Sequence, residues 1–169
     1  YEYICAGLAR ELGLPIPSFK IVLLSQEIVD SSAYYDEEIK ARIKPESYGF
    51  ASYKIDKSLP ISGKYISDLT DNLKARVLLF DLWINNDDRK KPSTEKTNPN
   101  FLYNPSEGKP YLIDHNNAFA INFKEDVFFE RHIFSDAKKF WNNNFIEKEC
   151  DKFERAISNI HDIVAYLPE

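Results

Sequence analysis

Three oxygen-bearing side chains, Asp88, Asn100 and Asp114, stand in an order that can hold a hard cation against a phosphate. An apolar run ends in Asn85-Asn86-Asp87-Asp88-Arg89, a charged loop follows, and Asn100 opens the short apolar run Phe101-Leu102-Tyr103. Residues 104–110 (NPSEGKP) are dense in turn formers, and Tyr111-Leu112-Ile113 then delivers Asp114. A hairpin with Tyr103 opposite Tyr111 sets Leu102 against Leu112, Phe101 against Ile113, and Asn100 beside Asp114. Opposed residues of an antiparallel pair lie roughly 4.5–5.5 Å apart at Cα. An amide oxygen and a carboxylate so placed can share one Mg²⁺ ion. Phosphoryl transfer from ATP asks for such ligands plus a carboxylate that orients the attacking hydroxyl. On this reading Asp114 is the main metal ligand, Asn100 the second, and Asp88 the base or orienting group. Asp and Asn are also the commonest loop and turn residues, and an Asp after a helix is more often a cap than a catalyst. Spacing alone does not separate the two readings.

The elements that must position these residues follow from periodicity. Residues 2–13 place Ile4, Cys5, Leu8, Ala9 and Leu12 on one helical face, with Gly13 as C-cap and Pro15 and Pro17 preventing continuation. Residues 20–24 and 27–29 read as strands, forming a hairpin across Ser25-Gln26, and residues 48–55 are again β-like. Residues 30–47 are polar and irregular, with Asp36-Glu37-Glu38 opening a short helix at best, and residues 60–63 form a turn. A long helix over residues 67–85, capped by Ser67 or Asp68, buries Leu69, Leu73, Val77 and Phe80, with Leu82 and Trp83 as further candidates. Residues 125–134 carry too many apolar groups for a solvated loop. Ser135 caps a helix over residues 136–141, and a last helix runs over residues 146–166 until Pro168. The expected fold class is α+β, mainly α, with the central hairpin lying across helices.

A length of 169 residues suits one domain with a real core. The net charge of −5 argues against broad nucleic-acid or anionic-membrane binding. No apolar run approaches the ~20 residues of a membrane span. Cys5 and Cys150 both fall in apolar helical patterns and read as core packing, in keeping with a reducing, cytoplasmic setting. The chain opens at Tyr1 inside a helical pattern and contains no Met, which suggests a fragment of a larger protein. His115, His132 and His161 show no metal-ligand spacing and read as structural or exposed. Arg89, Lys90, Lys91 and Lys96 make a positive loop beside the phosphate site, although charged loops are usually just solvated.

The ordered set WINNDDR, NPNFLY and LIDHNNAF resembles the HipA-like kinases and, more distantly, the type II phosphatidylinositol kinases. The opening EYICAGLARELGLPIP is similar to the first helix and turn of the HipA-like kinases, so the resemblance spans most of the chain. It implies that Asp88 is the catalytic Asp, with Asp87 a competitor that the following Arg89 disfavours, and that Asn100 and Asp114 bind Mg²⁺. It also implies a protein-kinase-like C-terminal lobe over residues 56–169, with its short β-hairpin at the metal site, and a remnant of the ATP-proximal subdomain over residues 1–55. Tyr48-Gly49-Phe50-Ala51 falls at the family's adenine hinge, making Phe50 and Ala51 nucleotide contacts; an ordinary buried strand fits equally well. Glu2 matches a helix Glu that pairs with a lysine further upstream. The implied activity is transfer of the ATP γ-phosphoryl group to a Ser or Thr hydroxyl of a protein, in a bacterial, toxin–antitoxin type of regulation with an antitoxin-like partner.

Three departures from the family stand out. RKKPSTEKTNP lengthens the interval between Asp88 and Asn100, and His115-Asn116-Asn117 replaces the glycine expected after the metal Asp. The residues from Tyr1 onward contain neither a Gly-rich phosphate loop nor its lysine. The chain therefore reads as a Ser/Thr kinase domain, or alternatively as a non-catalytic kinase-like module that binds a nucleotide or partner, or as a lipid kinase.

Overall fold

The computed structural model describes residues 1–31, 43–92 and 99–168. It is an α+β chain dominated by helices, with one two-stranded and one three-stranded antiparallel sheet. Helix α1 (Glu2–Glu11) buries Cys5, Leu8 and Ala9 as its spacing predicts. It ends as its sequence dictates. Gly13 turns left-handed (φ +66°), its N–H donating to Arg10 and that of Leu14 to Ala9, which satisfies the last carbonyls of the helix. The Pro15 carbonyl then accepts from Leu112 N–H at 2.7 Å, tying this turn to the central hairpin.

Strand β1 (Phe19–Leu23) pairs antiparallel with β2 (Tyr48–Ser52), Phe19 opposite Ser52 and Leu23 opposite Tyr48. The expected strand over residues 27–29 is instead part of helix α2 (Gln26–Ser31). Ser25 starts that helix, its hydroxyl accepting from Ile28 N–H and its carbonyl from Val29 N–H, while Leu24 exchanges backbone bonds with Glu46 and Ser47. The strand edge is thus taken by the later segment. The helix expected to open at Asp36-Glu37-Glu38 lies outside the described residues. The second sheet runs β3 (Leu59–Pro60), β4 (Phe101–Asn104), β5 (Lys109–Leu112). Pro60 therefore sits on an edge strand, where its missing N–H costs nothing, and not in a turn.

The helix expected over residues 67–85 is two helices, α3 (Gly63–Asp68) and α4 (Asp71–Trp83). Leu69 is extended and buried between them, and Thr70 caps α4 by accepting from Leu73 N–H at 3.2 Å. Helix α4 buries Ala75, Val77, Leu78, Phe80 and Asp81, more than one face, which makes it the central element. Helix α5 (Glu125–Arg131) leads to a 3₁₀ helix, Ser135–Phe140, where an α-helix capped by Ser135 was expected. The 3₁₀ helix packs on α4, and Trp141 Nε1 donates to the Ala75 carbonyl. The last expected helix breaks at Asn159 into α6 (Asn143–Ser158), capped by Asn142, and α7 (Ile160–Val164). Cys5 is fully buried, and burial pushes its thiol up to about 12, so it acts as packing. Cys150, by contrast, is exposed: the inner side of α6 carries Glu149 and Ala156. Among the described residues no helix is long and apolar enough to cross a membrane.

The break at Asn159 turns Ile163 onto α1, where Gly7 lets it approach: a Cβ at Gly7 would stand 2.6 Å from Ile163 Cγ2. Gly7→Val is expected to destabilise the fold by about 1–3 kcal/mol through overpacking. A lowered midpoint of urea unfolding with unchanged slope checks this.

Candidate active site

The central hairpin forms, one residue out of the expected register. Phe101 faces Leu112, Leu102 faces Tyr111, Tyr103 faces Pro110 and Asn104 faces Lys109. The cause is Asn104. Its side-chain oxygen accepts from Ser106 N–H at 2.9 Å and Glu107 N–H at 3.3 Å, closing a four-residue loop that ends on left-handed Gly108. Asn100 consequently lies opposite Ile113, whose N–H donates to the Asn100 carbonyl at 3.2 Å, and Asp114 stands one residue further on.

The three predicted residues nevertheless converge. Asn100 Nδ2 donates to Asp88 Oδ2 at 3.0 Å. The Asp114 carboxyl is raised above its ordinary value, chiefly by partial burial, then by the charges of Glu2 and Asp88; the backbone N–H of Asn116 acts the other way. Asp88 is thus close to both partners. Asn100 and Asp114 both take left-handed backbone (φ +49° and +56°), which Asn and Asp tolerate better than other side chains. Asp87, the competitor, belongs to none of these contacts.

What fixes this geometry is a buried polar hub that sequence reasoning missed. Asp81, on α4, is fully buried and accepts from Arg89 Nε at 2.7 Å, Asn86 Nδ2 at 2.9 Å and His132 Nε2 at 2.9 Å. Burial alone would raise the Asp81 carboxyl, but the Arg89 charge and the His132 and Arg89 hydrogen bonds hold it well below the usual carboxylate range. Arg89, expected in a solvated positive loop, is instead wholly buried. One of its terminal nitrogens donates to the carbonyls of Asn100 and, at 3.4 Å, Ile113; the other faces His115 Nε2 at 3.3 Å. Arg89 therefore holds the backbone at Asn100 and at Ile113, the residue before Asp114. Asn86 carries the hub to Asp88, its Oδ1 accepting from Asp88 N–H at 3.4 Å. Phe134 N–H donates to His132 Nδ1, which leaves the imidazole proton on Nε2, facing Asp81. Burial lowers the His132 pKa, so the ring is held neutral. A carboxylate inside an apolar run, Phe80-Asp81-Leu82, is the signal that could have found the hub.

Beside Asp114 lies a cavity of about 650 Å³. Ile16, Phe50, Leu102 and Leu112 supply its apolar wall, and Glu2, Asp114, Asn116, Lys54 and Lys57 polar and charged groups around it. Phe50 lines this cavity. Ala51, its strand neighbour, borders a smaller pocket with Phe19 and Lys20. Among the described residues no three His, Cys, Asp or Glu side chains form a group able to hold a metal alone. Two carboxylates and an amide are instead a hard-oxygen set of the kind Mg²⁺ uses when phosphates and water complete its shell.

Removing one partner of a buried ion pair strands the other charge, so Arg89→Met is expected to cost about 3–5 kcal/mol in denaturant unfolding. Asp81→Leu combined with Arg89→Met should cost less than the single Arg89 change. Because the folded pKa of Asp81 is lowered, its stabilisation holds above the unfolded value near about pH 4 and is lost as pH falls through the folded one. His132 is lowered too, so the unfolded chain takes up its proton first and stability begins to fall below about pH 6.5. His132→Gln should flatten that upper limb and leave the acid limb, read from unfolding midpoints across pH.

A family model described as HipA-like kinase matches residues 1–169, the whole chain. No curated protein and no solved structure shows significant similarity to it. The full-length match bears out the ordered motifs: the chain belongs to the HipA-like kinase family.

Proposed function

We propose that this chain carries the Mg·ATP end of a Ser/Thr protein kinase site, with Asp114 and Asn100 as the metal-holding residues and Asp88 as the group that orients the attacking hydroxyl. The observation that carries the reading is the apolar cavity ending on Asp114, beside the Asp88–Asn100 contact. Its wall of Ile16, Phe50, Leu102 and Leu112 suits a flat base, and Ala51 contributes backbone at the hinge between residues 1–55, the ATP-proximal part, and residues 56–169, the helical lobe. Mg²⁺, when bound, would neutralise the phosphates and draw charge from the leaving oxygen. The chain's own groups do the rest. Asp88 takes the proton of the incoming protein hydroxyl; Asn100 holds Asp88 in place through Nδ2, and its side-chain oxygen would be the second ligand of the cation. Lys90 Nζ lies 3.2 Å from Asp88 Oδ1, beside the carboxylate that would receive that proton. Transfer to a protein hydroxyl in a cytoplasmic regulatory setting, with an antitoxin-like partner, is the activity that fits this family.

Calorimetric titration with ATP, with and without Mg²⁺, tests the site directly. Mg²⁺ should strengthen ATP binding in the parent chain, and Asp114→Asn should abolish that gain. In a form of the protein that transfers phosphate, Asp88→Asn is expected to keep Mg·ATP binding while slowing transfer by about 10²–10⁴-fold. Binding of ATP indifferent to both Mg²⁺ and Asp114 would overturn the reading.

A further inference from the structure

We propose that His115 is a positioning residue for Asp114, fixing the strand end by spanning Glu2 on α1 and Arg89 in the core. The inference rests on the Mg·ATP reading above and adds to it a residue that pins the segment following Asp114.

His115 is buried, with only 1% of its surface exposed, and its ring sits edge-on to Phe80 at 5.9 Å. Packing alone would be served by any flat apolar ring. The contacts of its two ring nitrogens are what a phenyl ring cannot make; the backbone contact to Glu2 would remain. The backbone N–H of His115 donates to Glu2 Oε2, and its Nδ1 lies 3.4 Å from Glu2 Oε1. Its Nε2 lies 3.3 Å from an Arg89 terminal nitrogen. Every guanidinium N–H is a donor, so Nε2 accepts, and the ring proton is on Nδ1, facing the Glu2 carboxylate. One ring therefore joins an acceptor on α1 to a donor in the hub.

Asp114 needs that brace. Its left-handed backbone (φ +56°) is a sparsely populated conformation for a side-chain-bearing residue, and it persists only when both flanks are held. On one side Arg89 binds the Ile113 carbonyl at 3.4 Å. On the other, His115 is bound at its N–H by Glu2 and at its ring by both Glu2 and Arg89. The same guanidinium thus reaches both neighbours of Asp114, one of them through His115.

The test compares the parent chain with His115→Phe, which keeps ring packing against Phe80, and His115→Gln, which can accept from Arg89 and donate to Glu2. Each is titrated calorimetrically with ATP with and without Mg²⁺, and amide hydrogen exchange over residues 113–116 is measured without ligand. In His115→Phe the Mg²⁺-dependent gain in ATP affinity should fall by about 10–100-fold, as for residues that orient metal ligands. ATP binding without Mg²⁺ should change little, exchange at residues 113–116 should quicken, and α4 should keep its protection. His115→Gln should restore most of both. The proposal is overturned if His115→Phe matches the parent in both measurements. It is equally overturned if Mg²⁺-free and Mg²⁺-dependent binding fall together with α4 protection, the mark of a merely structural role. A parent chain whose ATP binding ignores Mg²⁺ would sink the kinase reading, and the exchange rates would still decide on His115: equal rates in the parent and His115→Phe refute the brace.

Discussion

The structure depends on one buried ion pair, Asp81 with Arg89. Both residues are fully excluded from solvent, inside a shell that includes Phe80, Phe101, Phe128 and Phe134. Desolvating two charges costs more than their attraction returns unless the remaining lone pairs and N–H groups also find partners. Here they do. Asp81 takes hydrogen bonds from Arg89, Asn86 and His132, and Arg89 gives its remaining N–H groups to two backbone carbonyls and an imidazole. Those partners come from α4, the loop after it, both strands of the central hairpin, and the segment after α5. An apolar pair of similar volume could fill the same space. It would not say where Asn100 and Ile113 must stop.

That requirement explains the backbone beside the site. Asn85, Asn100 and Asp114 all take left-handed conformations without being glycine. Asn85 ends α4, its N–H donating to Leu82 and that of Asn86 to Asp81, so the helix closes and the chain turns towards Asp88. At Asn100 and Ile113 the carbonyls point inward to Arg89, and the backbone next to each carbonyl has to bend for this to happen. The strain is local; the contacts that hold it are shared by five segments. Such over-determination is what lets uncommon backbone geometry persist at a working site.

Local signals carried much of this into the sequence. The face of α1, its Gly13 stop, the hairpin between residues 101 and 112 and the order Asp88, Asn100, Asp114 were all legible, because each rests on neighbours in the chain. The hairpin register was not. It is set by whether the loop closes at Asn104 or one residue earlier, and the deciding bonds from Ser106 and Glu107 to the Asn104 side chain leave no trace in hydrophobic pattern. A register slip of one residue moves every side chain to the opposite face. The expected register set Asn100 directly beside Asp114; in the fold the pairing shifts by one, and Arg89 gathers the two ends through the Asn100 and Ile113 carbonyls. Arg89 itself was misread for the opposite reason. Beside Lys90 and Lys91 it looks like one more surface cation, and its burial is decided by Asp81, eight positions away on another element. Residues 27–29 went wrong in the same way, since apolar spacing over so short a run cannot tell a strand from one helical turn.

The distribution of charge around Asp114 then bears on what the site asks for. Burial and the carboxylates of Glu2 and Asp88 all disfavour its ionised form. Arg89 is engaged with Asp81 and backbone carbonyls, and Lys90 lies against Asp88. Like charges gathered in partial burial are costly to a fold that gains nothing from them. On the reading proposed above, a hard cation would relieve that repulsion. A purely structural role would have been served as well by Asn at position 114, with no penalty to ionise. The Asp114 carboxylate thus stands in left-handed backbone, with Arg89 bound to the Ile113 carbonyl on one side and Glu2 bound to the His115 N–H on the other.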